Sequence, residues 1–261
     1  MFLDIIEGYN DALVISIIIV GVLIIIMSII ATIVEIFLAI SYIRYNRTQN
    51  SIGKTGEEVA REILDKNGLN KIRVSKNGSI LFGNSYSHYF KKVRLRRLTY
   101  KKKSVTSLAM AAQKSSLAIL DAKNDPDMKT RIVLTPITYF GPLAFIPLVI
   151  TGVLLDLLLF KTNGVCTIIF SAIGFSVIFA TLFLQIMELK TERKAQAEAL
   201  EILKKENMVN SNEVEMMKKL FHLYNIEYVN NIILSTLEII YRILTIALKI
   251  TSKQNNFSSK K

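Results

Sequence analysis

The sequence predicts a mainly α-helical, multi-pass membrane protein with a small α+β element between its first and second membrane segments. Three observations carry that prediction. Two long runs hold no charge, Ala12 to Val34 with 23 residues and Gly164 to Met187 with 24, and about 20 helical residues suffice to cross a hydrocarbon core. Hydrophobic residues make up 51% of the 261-residue chain and mean hydropathy is +0.37, values foreign to disordered chains and unusual in soluble domains. The formal charge of +12 is concentrated, since residues 44 to 131 hold 20 Lys and Arg against 7 Asp and Glu.

The order of segments follows from these runs. Residues 1–43 read as a membrane anchor helix, retained because the run is long and lacks the basic start and small-residue cleavage site of a signal peptide. Asp4, Glu7 and Asp11 precede the run and Arg44, Arg47 and Lys54 follow it, which places the polar segments that follow in the cytoplasm of a cell membrane. Residues 44–131 form a basic polar segment, and residues 132–187 a membrane hairpin in which Ile137 to Phe160 contains Pro142 and Pro147, both predicting kinks. Residues 188–228 read as a charged helical segment, and residues 229–261 as a C-terminal apolar helix with a basic tail. In that last helix Glu238 and Arg242 are four apart, so they share a face where opposite charges can neutralise.

Local signals place elements inside the polar segments. Thr55 followed by Glu58 is a capping box that starts a helix, Asn67-Gly68 ends it, and Val59, Ala60, Ile63 and Leu64 form its apolar stripe. Asn77-Gly78 between Ile72-Arg73-Val74 and Ile80-Leu81-Phe82 predicts a hairpin, and Val93-Arg94-Leu95 a third strand. Ser104 to Asp121 reads as a mostly apolar helix interrupted by Gln113 and Lys114. Ser211 or Asn212 is expected to cap a later helix that holds Met217, Leu220, Phe221 and Tyr224.

These segments resemble, in order, the YugP-like family of membrane-embedded neutral zinc metallopeptidases. The resemblance begins at Thr55-Gly56-Glu57-Glu58-Val59-Ala60-Arg61-Glu62-Ile63-Leu64-Asp65-Lys66-Asn67-Gly68-Leu69 and resumes at Val93-Arg94-Leu95 and at Ser104 to Asp121. It continues through Glu188-Leu189-Lys190-Thr191-Glu192-Arg193 and Lys219 to Val229. What it implies is a zinc site built on HExxH, in which two His one turn apart bind the metal and the Glu takes a proton from its bound water. Carried over residue by residue, the His positions are Gln113 and Leu117, the general-base position is Lys114, and Glu188 alone survives as the downstream carboxylate ligand.

The resemblance therefore implies a catalytically degenerate relative that binds or scaffolds at the membrane, without peptidase activity and without a cofactor. On this reading Gln113 and Leu117 face Glu188, and Lys114 is placed to form an ion pair with it in place of the metal. The alternatives are an active membrane hydrolase with a non-standard metal site, zinc being the metal if the degenerate reading fails, and a small membrane transporter or lipid-interacting protein. The only histidines, His88 and His222, fall on no ligand position and read as surface or hydrogen-bonded structural residues. The single cysteine, Cys166, excludes an intramolecular disulfide and multi-cysteine zinc sites.

Eight basic residues lie within thirteen: Lys91, Lys92, Arg94, Arg96, Arg97, Lys101, Lys102 and Lys103, with Tyr89, Phe90 and Tyr100 beside them. Anionic lipid headgroups are the expected partner, since no nucleic-acid recognition fold accompanies the run. Another membrane protein, such as an intact family member, is a further expected partner. Glu35, Asp156, Glu238 and Arg242 lie in or at the ends of apolar runs, where pairing between helices is preferred to a transport role.

Overall fold

The computed structural model describes residues 2–77, 83–137, 145–160 and 164–258. Its elements are α1 (Phe2–Arg47), α2 (Gly56–Lys66), β1 (Arg73–Asn77), β2 (Ser85–Ser87), β3 (Lys92–Arg96), α3 (Arg97–Lys101) and α4 (Val105–Ala122). There follow α5 (Pro126–Ile137), α6 (Phe145–Leu154) with a π-helical turn over Leu155–Phe160, α7 (Val165–Lys205) and α8 (Ser211–Ser258). The protein is thus a mainly helical multi-pass chain with a small sheet between its first and second long apolar helices.

Among the described residues three helices are long and apolar enough to cross a membrane: α1, α7 and α8. The C-terminal run, ambiguous in sequence because of Glu238 and Arg242, is among them. The stretch Phe145–Phe160 is only a shorter apolar helix. Pro147 sits in the first turn of α6, where its missing N–H takes no bond from the helix; Pro142 lies outside the described residues.

The chain divides into two compact units, Met1–Glu35 with Glu227–Lys261, and Ile36–Ile226. In the first, a Cβ placed on Gly21 of α1 would lie 3.7 Å from Tyr241 Cε2 of α8, an ordinary van der Waals contact. Glu238 and Arg242 are exposed, and among the described residues no ion pair joins them, contrary to the neutralisation their spacing suggested. Glu35 is likewise exposed.

In the second unit α4 is the central helix, with every residue from Val105 to Leu120 buried. Against it packs α2, capped by the Thr55–Glu58 box and burying the predicted stripe Val59, Ala60, Ile63 and Leu64. The sheet order is β1-β3-β2, with β1 parallel and β2 antiparallel to β3. Strand β1 pairs with β3, whose Val93 and Leu95 are fully buried. The expected partner strand Ile80–Phe82 lies outside the described residues. Among the described strands β3 takes the central position, with its two apolar side chains buried.

The α6–α7 pair is close-packed at two glycines. A Cβ on Gly152 would lie 2.8 Å from Thr167 Cα, and one on Gly174 would lie 2.6 Å from Phe145 Cδ2, so the backbones approach as small residues allow in membrane helices. Asp156 is buried in the π-helical turn and accepts hydrogen bonds from the backbone N–H of Cys166 (3.0 Å) and Thr167 (2.8 Å) and from the Thr167 hydroxyl (2.6 Å). It caps the start of α7 by satisfying orphan amides at the positive end of the helix dipole. At the start of α8 the cap is Asn210, one residue before Ser211 and two before Asn212, the caps expected from the sequence. Asn210 accepts from Glu213 N and donates its own N–H to Glu213 Oε2, both at 2.9 Å.

Candidate functional site

Helices α4, α5 and α7 bring one carboxylate cluster together. Gln113 and Lys114 follow each other on α4, and Glu188 and Glu192 on α7 are four apart, which puts both acids on one face. Gln113 Nε2 donates to Glu192 Oε2 at 2.7 Å and Lys114 Nζ donates to the same oxygen at 2.8 Å. From α5, Arg131 Nη1 donates to Glu192 Oε1 at 3.2 Å and to Thr191 Oγ1 at 2.8 Å, while its Nη2 lies 3.8 Å from Glu188 Oε1. Glu192 is 1% exposed and Lys114 7%. A carboxylate so deeply buried is tolerable only when both oxygens are matched by cations and donors, and here both are.

The expected geometry is corrected by one helical turn. Glu192, about 6 Å further along the helix axis than Glu188, receives Gln113 and Lys114. Glu188 instead lines a cavity of about 140 Å³ together with Leu117, Arg131, His88, Tyr86 and Met128. Leu117 and Glu188 thus meet at one cavity, as the sequence suggested, whereas Gln113 and Lys114 turn to Glu192. Arg131 and Glu192 were not singled out from the sequence. The signal available for Glu192 was its four-residue spacing from Glu188, and for Arg131 there was none, because its partner is 61 residues away in the chain.

A second polar cluster adjoins the same cavity. Tyr86 of β2 donates its hydroxyl to Asp121 Oδ2, and His88 Nδ1 lies 2.7 Å from that oxygen, with Lys91 Nζ at 3.5 Å. Burial works against ionisation of Asp121, but the bonds from Tyr86 and His88 and the charge of Lys91 outweigh it, so its carboxyl sits below the usual value. Burial and the bond to Asp121 push the Tyr86 hydroxyl above its ordinary value. His88 is thus held against Asp121 at the edge of the cavity, and His222 is exposed.

The residues present do not fit a zinc ion. Zinc takes Cys, His and carboxylate donors, whereas the α4 positions offer an amide, an ammonium and an alkyl chain, and the ammonium is salt-bridged to the facing carboxylate. Among the described residues no group of three His, Cys, Asp or Glu is placed to hold a metal.

The eight-residue basic run is divided by the fold. Lys91 faces Asp121. Lys92, Arg94 and Arg96 alternate with the buried Val93 and Leu95 on β3, and the Arg94 guanidinium lies 5.3 Å from the Phe90 ring centre. Arg97 is exposed, and Lys101, Lys102 and Lys103 lie at the junction of α3 and α4.

A family model described as "Putative neutral zinc metallopeptidase" matches residues 19–247. The chain is also 26% identical over 197 residues to the "Putative membrane protease YugP" of Bacillus subtilis (strain 168), covering 76% of this chain and 83% of that protein. No solved structure matches. With its helix order, its small sheet and its α4–α7 pairing all inside the matched region, the chain belongs to the neutral zinc metallopeptidase family.

Proposed function

We propose that this protein is a non-proteolytic member of its family, in which a buried ion-pair cluster takes the place of a metal centre and the role is binding or scaffolding at the cell membrane. One observation carries the reading: Lys114, at the position the resemblance gives to the general base, holds Glu192 in a salt bridge of 2.8 Å. An ammonium bonded to a carboxylate cannot accept a proton from water at neutral pH, and it repels a divalent cation from the same space. Gln113 and Leu117 add no ligand of the usual kind. What remains is a packed link between α4, α5 and α7 beside a small cavity.

The expected partners are anionic lipid headgroups and a second membrane protein, of which an intact family member is one example. The charge flanks of α1 favour polar segments on the cytoplasmic side. The test is metal analysis of the purified full-length protein by inductively coupled plasma mass spectrometry, alongside a casein-peptide hydrolysis assay with and without added zinc. Less than stoichiometric zinc and no zinc-dependent hydrolysis are expected. One tightly held zinc per chain, or hydrolysis that a chelator abolishes and zinc restores, would overturn the reading.

A further inference from the structure

The end of α1 and the start of α4 are joined closely. Lys102 Nζ donates to the backbone carbonyl of Asn46 at 3.3 Å, and Ser104 Oγ donates to Asn46 Oδ1 at 2.8 Å. The N–H of Asn50 donates to the Lys103 carbonyl and that of Val105 to the Thr48 carbonyl, both at 3.0 Å. One turn earlier, Thr106 Oγ1 donates to the Tyr42 carbonyl at 3.1 Å and the Tyr42 hydroxyl pairs with Thr99 Oγ1 at 2.8 Å. Segment 99–106 therefore has a fixed level along the α1 axis.

That level is readable against a bilayer. Ile43 is the last residue of the apolar run of α1 and is exposed, and Arg44 is the first charge after it. Asn46 lies three residues beyond Ile43, about 4.5 Å along the axis, whereas the headgroup layer is about 5–7 Å thick on each side. The Lys102 ammonium, bonded to Asn46, is thus within the headgroup layer when α1 spans. Arg44, Arg47, Lys101 and Lys103 are exposed around it, and among the described residues none of these four enters a salt bridge. Asn46 is buried against Ser104, whereas Arg44 and Arg47 are exposed.

We propose that Arg44, Arg47, Lys101, Lys102 and Lys103 form a basic collar around the exit of α1 that binds the anionic headgroups of the leaflet α1 leaves. Two segments more than fifty residues apart build it, and only part of the basic run takes part, because the fold directs Lys91 to Asp121 and Lys92, Arg94 and Arg96 to the sheet. The inference rests on α1 spanning a membrane and not on the fate of the metal site. Exposed cations at the surface of a leaflet attract anionic lipid individually and additively, and a ring of cations around one helix collects headgroups from every side.

The experiment is electron spin resonance of the full-length protein reconstituted in phosphatidylcholine with trace spin-labelled phosphatidylglycerol or spin-labelled phosphatidylcholine, which reads the relative association of the two lipids. Phosphatidylglycerol should be preferred by about fivefold or more, and less so on going from 0.15 to 1 M salt, where the screening length falls from about 8 to about 3 Å. The double variants Arg44→Gln/Arg47→Gln and Lys101→Gln/Lys103→Gln should each reduce the preference at least twofold by this argument. Lys204→Gln/Lys205→Gln, which removes two exposed cations at the far end of α7, should leave it unchanged. Neither collar variant touches the Lys102–Asn46 bond, and wild-type melting temperatures verify folding. If one of the pair misfolds, the other decides. No lipid preference, or an equal loss in the α7 control, would overturn the collar. So would binding of a fluorescent 20-nucleotide DNA that the collar variants abolish while lipid preference stays the same, because the surface would then serve nucleic acid.

Discussion

Lys114 of α4 and Glu192 of α7, 78 residues apart in the chain, form a buried salt bridge with Nζ 2.8 Å from Oε2. Gln113 and Arg131 complete the coordination of the carboxylate. Two charges removed from water contribute little net stability as a pair, but loss of Lys114 leaves the buried Glu192 with Arg131 as its one cation, and loss of Glu192 leaves Lys114 buried without its carboxylate.

Lys114→Met should therefore destabilise the protein by about 3–5 kcal/mol, read as a lower melting temperature in detergent. Glu192→Gln alone should also destabilise. The double variant should recover part of the loss, since it removes the stranded charge. Additive losses in that cycle would mean that the two residues are not coupled.

Asp121 and Tyr86 predict two pH limbs. Asp121 is held below its ordinary value by Tyr86, His88 and Lys91 against the cost of burial, so its contribution is present above the unfolded value of about 3.9 and is lost as pH falls through the lower folded value. Tyr86 is raised by burial and by its bond to Asp121, so its contribution is present below about pH 10 and fades as pH rises beyond that. Tyr86→Phe should flatten the alkaline limb and weaken the acid one in thermal melts taken across pH. A melt profile unchanged at both ends would contradict the coupling.

Asp156 caps α7 through the amides of Cys166 and Thr167. Asp156→Ala should cost about 1–2 kcal/mol and loosen the first turn of α7. Because Cys166 is the chain's single cysteine, its maleimide labelling rate is a local probe, and it should rise in the variant. A rate equal to wild type would mean that the turn holds without its cap.

Single cysteines introduced at Arg97 and Glu215, both exposed, in a Cys166→Ala background test the topology. Both should react with a membrane-impermeant maleimide only after the cell membrane is opened. Labelling of both in intact cells would reverse the orientation, and labelling of one alone would break the proposed common side of residues 44–131 and 188–228.

Local chemistry determined most of the elements from sequence alone. A capping box, an apolar stripe at 3.6-residue spacing and uncharged runs of more than 20 residues act within a few turns of chain, so α2, α4, α1 and α7 were legible before any contact was known. The C-terminal run was legible as apolar, but its character as one long helix from Ser211 emerged only with α8. That Gln113, Lys114 and Leu117 stand at the HExxH positions came from the family resemblance and not from any local pattern.

Tertiary structure alone decided which groups meet. The choice of Glu192 over Glu188 depends on how α4 and α7 are offset along their axes, and a helix face shows two acids one turn apart equally. Arg131 enters from α5 because that helix packs along α7, a contact between residues 61 apart. The pairing of β1 with β3 joins segments some twenty residues apart around the buried Val93 and Leu95, a contact that no local signal in the sequence specifies. The basic run was one patch in sequence and several sites in space, since charge alone specifies no partner until packing sets Lys91 beside Asp121 and Lys102 beside the end of α1.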